Sequence, residues 1–205
     1  MGRKKQVRQL YVYMNSVLVG RLERKATGQL EFTYEQKWLE DKNSPPISLS
    51  MPLTEVPYKG DIVEHYFDNL LPDSRVIRER IQARYEVPSI KCFDLLSQTG
   101  RDCVGALQLL TSTDFENIHE IKATPISDAD IADLLKNYRM APLGMDRDRE
   151  FRISIAGAQE KTALLRYKNQ WNVPEGITPT SHIIKLPNLL FSPHLQPLNN
   201  TKFSF

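Results

Sequence analysis

Ser154-Ile-Ala-Gly-Ala-Gln-Glu-Lys-Thr162 is the stretch whose residue types could do chemistry most directly. A predicted strand runs into small residues and out into a second strand. Small residues let backbone N–H groups approach an anion, and such nests bind phosphate. The end of the stretch has the residue types of a Walker A loop without its spacing. No Gly precedes Lys161, and Thr162 onward reads as strand rather than helix. A small-residue loop joining two strands over a nucleotide is the kinase arrangement. A plain β-hairpin turn remains the competing reading.

Lys185 stands inside the apolar run His182-Ile-Ile-Lys-Leu186. Kinase-like folds use a strand-borne Lys to hold the α- and β-phosphates. Alone, a strand Lys is more often simply solvated. The order small-residue loop, hairpin, then strand Lys about 24 residues on is the order of a kinase N-lobe. Two further segments mix charge with Gly or Pro breakers among apolar neighbours: Phe67-Asp-Asn-Leu-Leu-Pro-Asp-Ser74 and Gly100-Arg-Asp-Cys-Val-Gly-Ala106. A capped helix end and a turn would account for both.

The elements that must position these residues follow from periodicity. Gln9–Met14 and Val17–Leu22 read as a hairpin across Asn15-Ser16, and Gln29–Tyr34 alternates as a third strand. Pro45-Pro46 forces an extended chain into Ile47–Met51. His65–Tyr85 reads as two helices broken at Pro72, with Asp73 or Ser74 as N-cap of the second. Ser89–Ser97 is a short helix and Val104–Leu110 a strand. A helix begins at Ser127-Asp-Ala-Asp130, with Ile131, Leu134 and Leu135 on one face. Strands return at Phe151–Ile155, Thr162–Tyr167, Gln170–Val173 and His182–Leu186, with Lys168-Asn169 as a turn. The expected fold is α+β: a β-rich N-terminal subdomain with helices, then a partial kinase N-lobe built on an antiparallel sheet. The expected divisions are residues 1–110, a helical linker region 111–150, the partial lobe 151–190 and a divergent tail 191–205.

Composition narrows the class. The 205 residues are 40 % hydrophobic and 25 % charged, which excludes collagen-like and wholly disordered chains. A formal net charge of +2 does not argue for direct nucleic-acid binding. No run approaches the roughly 18 apolar residues of a membrane span, and the basic start leads into no signal core. A cytoplasmic protein away from membranes is the expectation. Cys92 and Cys103 form no CxxC pair and read as buried packers. His65, His119, His182 and His194 have no metal-ligand spacing, so no metal site is expected.

Phe67–Ser74, Phe93-Asp-Leu-Leu96, Gly100–Ala106, Phe151–Leu165, Gly176-Ile-Thr-Pro-Thr180 and His182–Pro187 together resemble the HipA family, over about residues 8 to 190 in the family's order. HipA proteins are serine/threonine kinase toxins of bacterial toxin–antitoxin modules. The resemblance implies that Ala156, Gly157, Ala158, Gln159, Glu160 and Lys161 form the loop over the ATP phosphates. It makes Lys185 the strand Lys and Ser154 the autophosphorylation site. It implies ATP and Mg²⁺ as cofactors, a HipB-like helix-turn-helix antitoxin as partner, DNA contact only through that antitoxin, and glutamyl-tRNA synthetase as the best-known target.

The family's catalytic Asp and Mg²⁺ ligands lie on a helical C-lobe, whereas the resemblance fades after Pro187. The expectation is therefore no catalytic residue within these 205, weak or absent ATP binding, and no kinase activity alone. The alternative is a regulatory or antitoxin-like module acting on a separately encoded HipA-like kinase lobe.

Overall fold

The computed structural model describes residues 7–101, 103, 106–113, 121–140 and 161–185. Three strands open the chain: β1 (Gln9–Met14), β2 (Val17–Arg24) and β3 (Leu30–Tyr34). Asn15 and Ser16 both take positive φ, the paired left-handed geometry that closes a two-residue hairpin with the right twist. A register shift at Val12/Tyr13 turns both of these side chains inward. On β3, Leu30, Phe32 and Tyr34 are buried and the residues between them are not, as period two requires. Helix α1 (Gln36–Glu40) and the short strand β4 (Tyr58–Lys59) follow.

Three helices then cover one face of this sheet: α2 (Asp61–Asp68), α3 (Arg75–Tyr85) and α4 (Cys92–Thr99). Strand β5 (Leu107–Leu110) completes an antiparallel sheet of order β4-β3-β2-β1-β5. The core draws Leu10, Leu22 and Phe32 from strands and Phe67, Ile81, Phe93 and Leu96 from helices. Each buried Phe contributes about 1.5–3 kcal/mol of transfer free energy. Phe32 and Phe67 meet at 5.8 Å between ring centroids, so the sheet and α2 are locked at their centre.

The described residues of the two segments that mix charge with Gly or Pro breakers have structural partners. Phe67, Leu70 and Leu71 are buried. The Asp68 carboxylate accepts two bonds from the Arg78 guanidinium, at 2.6 and 3.0 Å, and Arg78 Nε donates to Pro72 O at 2.6 Å. That fork ties the end of α2 to the first turn of α3. Ser74 takes the N-cap position of α3, but its hydroxyl makes no cap bond. Gly100 lets the end of α4 touch β5: its N–H donates to Leu96 O at 2.8 Å and its carbonyl accepts from Leu109 N at 2.7 Å.

Ile47–Met51 is not extended as expected. Ser48 and Met51 close a turn. Tyr34 Oη holds it from below, accepting from Ile47 N at 3.0 Å and donating to Met51 O at 2.6 Å. Burial pushes the Tyr34 phenol above its ordinary range.

Cys92 and Cys103 are both buried and not joined in a disulfide. Burial is the main cause that pushes Cys92 up to about 12, with the carboxylates of Asp68 and Glu64 adding to it. Its thiolate is therefore scarce in the folded state at pH 8. We expect iodoacetamide to leave Cys92 unmodified until the chain is unfolded in urea. Rapid alkylation of the native protein, read by mass spectrometry, would contradict the burial.

A second sheet follows. Its strands are β6 (Ala123–Ile126), β7 (Lys161–Tyr167), β8 (Gln170–Pro174) and β9 (His182–Lys185), in order β6-β8-β7-β9 with the pairs antiparallel. Together the two sheets and their helices make an α+β fold. β6 falls in the stretch 111–150 that sequence suggested as a helical linker. Pro125 hid it, yet an edge strand tolerates Pro because one side of its backbone needs no ladder partner. Helix α5 (Asp128–Met140) starts as expected. Ser127 N donates to Asp130 Oδ2 at 2.8 Å and Asp130 N to Ser127 Oγ at 3.2 Å, a reciprocal capping box.

Candidate phosphate-binding site

Of the sequence-predicted site residues, Lys161 and the backbone of Lys185 fall within the described part. Ser154, Ala156, Gly157, Ala158, Gln159 and Glu160 lie outside the described residues, as does the strand expected at 151–155.

Lys161 opens β7 and Lys185 closes β9, and the antiparallel register pairs them directly. Residues paired directly in a ladder share a face, so positions 161 and 185 belong to the same face of the sheet. Ala163 and Leu165 follow Lys161 on this face and are buried. In sequence, the expected loop residues immediately precede Lys161.

Three local devices set this register. Lys168 and Asn169 both have positive φ and close the β7–β8 hairpin. Asn172, buried, donates through Nδ2 to Gln170 O at 2.8 Å and braces that turn. The loop from Glu175 to Ser181 then returns the chain to the other side of β7. Gly176 turns it with φ of 56°, where a Cβ would be strained. Lys122 N donates to Thr178 Oγ at 2.9 Å, Glu175 N donates to Lys122 O at 2.8 Å, and Ser181 N donates to Leu164 O at 3.0 Å. Arg166 N donates to Ser181 Oγ at 2.7 Å. These bonds fix where β9 begins, and hence that its last residue faces Lys161.

Sequence reasoning missed Thr178 and Ser181 as positioning residues. Their partners lie 15 to 56 residues away, and no local pattern encodes such bonds.

The opposite face of the sheet carries a different set. Arg166 lies over the Trp171 ring at 5.1 Å, and His182 meets the same ring edge-on at 5.0 Å. Ser181 Oγ lies 2.8 Å from His182 Nδ1. These groups partner one another and stand on the face away from the lysine pair. Among the described residues, no group of three His, Cys, Asp or Glu side chains is placed to hold a metal ion. No described helix is long and apolar enough to cross a membrane.

Comparison with known proteins supplies the wider context. Residues 10–110 match the family described as HipA N-terminal domain. The chain is 32% identical over 186 residues to a Sinorhizobium fredii protein named putative kinase Y4mE, covering 88% of this chain and 44% of that one. Its fold is similar to HipA in the Shewanella oneidensis MR-1 complex of HipA, HipB and operator DNA. There the TM-score is 0.65 at 22% identity, over 89% of this chain and 41% of the neighbour. The chain thus spans less than half the length of each.

Proposed function

Because the chain belongs to the HipA family, with residues 10–110 as a HipA N-terminal domain, we propose that it is the phosphate-binding N-terminal part of a HipA-type serine/threonine kinase toxin. The observation that carries this reading is the direct pairing of Lys161 with Lys185 on one sheet face. Residues 156–160 immediately precede Lys161 in sequence, and the reading assigns to them the backbone N–H groups for the same phosphates. Lys185 is the strand Lys of the kinase arrangement and Lys161 its neighbour across the ladder.

Phosphoryl transfer needs more than this. Mg²⁺ neutralises charge developing on the phosphates, and a base orients the attacking hydroxyl. The matched motifs supply neither, so these residues form half of an ATP site and bind ATP weakly. By analogy with the neighbour's complex, a HipB-like helix-turn-helix protein is the partner, and DNA is reached through it. Ser154, two residues before the loop, is the phosphorylation site. A phosphate there adds about two negative charges beside groups built to accept phosphate and displaces ATP.

The test incubates the chain with labelled ATP, Mg²⁺ and glutamyl-tRNA synthetase, with and without an intact HipA-type kinase. Label is expected on Ser154 only when that kinase is present. Label in its absence, lost in Lys185→Ala, would mean that the chain holds a complete site.

One observation favours a second reading. Among the described residues, the buried core of the first sheet and its helices runs from Leu10 to Leu109, with Val7 packed against it. Such a unit could act in trans on a separate kinase lobe. Inhibition of an intact HipA-type kinase by added chain would select that reading.

A further inference from the structure

Gln108 lies on β5, at the edge of the first sheet, paired with Tyr13 of β1. Its carboxamide turns away from that ladder. Nε2 donates to Arg101 O at 3.2 Å and to Ile177 O at 3.1 Å. A Gln amide has two N–H donors, and both are engaged. Both partners are carbonyls, which fixes which way the amide faces.

Ile177 belongs to the loop that leads into β9. The loop's bonds to Lys122 and Leu164 come from the second sheet, whereas the bond from Gln108 comes from the first. The order is therefore Gln108, Ile177 carbonyl, Ser181, β9, Lys185. Half-buried carbonyls that lose a donor must reorganise or stay unsatisfied.

We propose that Gln108 is a positioning residue that clasps the Ile177 carbonyl and so holds β9 from the first sheet. Through β9 it keeps Lys185 in register with Lys161. This rests on the phosphate-site reading for its consequence, but the clasp itself can be read without any nucleotide. Gln108 touches no phosphate. It acts through the loop and the strand, so residues 10–110 bear on the geometry of a site they do not line.

The test is amide hydrogen exchange on the full chain, comparing wild type with Gln108→Met, which keeps length and removes both donors. Exchange at Ser181 and along β9 is expected to rise about fivefold, the worth of one neutral hydrogen bond, with β1–β3 unchanged. Gln108→Lys restores a donor and should return β9 to wild-type protection. Gln108→Glu, a second variant without a donor on its side chain, should behave as Gln108→Met does.

Unchanged exchange in β9 would overturn the clasp. So would an equal rise across β1–β3, which would mark general destabilisation, and so would failure of Gln108→Lys to rescue. ATP titration separates the two readings. Where wild type binds ATP, a roughly fivefold weaker Kd in Gln108→Met supports the coupling and an unchanged Kd overturns it. A wild-type chain that does not contact ATP defeats the phosphate-site reading, and exchange at β9 then decides the clasp alone.

Discussion

Asp94→Ala is expected to lower the unfolding free energy by about 3–5 kcal/mol, among the largest effects of any single change in the first sheet's unit. Asp94 is buried at the start of α4. One of its oxygens accepts from the Arg24 guanidinium and the other from the Ser89 hydroxyl at 2.6 Å. Arg24, itself mostly buried at the end of β2, also donates to Val7 O at 3.0 Å and lies 4.6 Å above the Phe93 ring. Removing the carboxylate leaves that guanidinium desolvated with no counter-charge. Replacing both partners, as in Arg24→Leu with Asp94→Leu, should recover a substantial part of the loss. Urea unfolding followed by Trp38 fluorescence measures both. A loss below about 1 kcal/mol for Asp94→Ala would show that the pair behaves as an exposed one.

Gly100→Ala should cost about 3 kcal/mol or more. The reason is contact rather than backbone freedom. A Cβ at Gly100 would lie 2.5 Å from Leu96 O and 2.7 Å from Leu109 Cβ. The first is backbone inside α4, and the second belongs to a buried residue of β5, so neither can swing aside. Relief requires α4 and β5 to separate, which opens the core around Leu95 and Leu109. Gly28 is the control: its surroundings are open, so the penalty for Gly28→Ala is only the strain of a positive φ. If Gly100→Ala matched Gly28→Ala in denaturation midpoint, the close approach of α4 to β5 would be disproved.

What was legible in the sequence had a short range. Asn15-Ser16 and Lys168-Asn169 announced two-residue turns, and both take the positive φ values that those turns require. Gln29–Tyr34 showed its period, and Ser127 with Asp130 showed a helix start. β6 was hidden because Pro125 argues against a strand unless the strand is known to be an edge. The turn at Ile47–Met51 was hidden because its geometry is set by the Tyr34 hydroxyl, 13 residues earlier in the chain than Ile47.

The site divides in the same way. Lys185 stood out as a charge in an apolar strand, and Lys161 as the end of a small-residue loop. Their pairing did not stand out, because register depends on bonds from Leu164, Lys122 and Gln108. The last of these reaches across 69 positions. Phe67–Ser74 and Gly100–Ala106 attracted attention for their unusual residue mix. Where described, that mix serves the Asp68–Arg78 fork and the Gly100 contact.

The direct test of the phosphate site is a nuclear magnetic resonance titration of ATP into the isotope-labelled chain. Shift changes are expected at the amides of Lys161–Ala163 and Ile183–Lys185, with Kd weaker than about 10 μM, or roughly −7 kcal/mol. The double variant Lys161→Ala with Lys185→Ala should abolish them. Inorganic tripolyphosphate should reproduce them, because the recognised group is the phosphate chain. Amides that do not move at millimolar ATP, or a double variant that binds as well as wild type, would contradict the account.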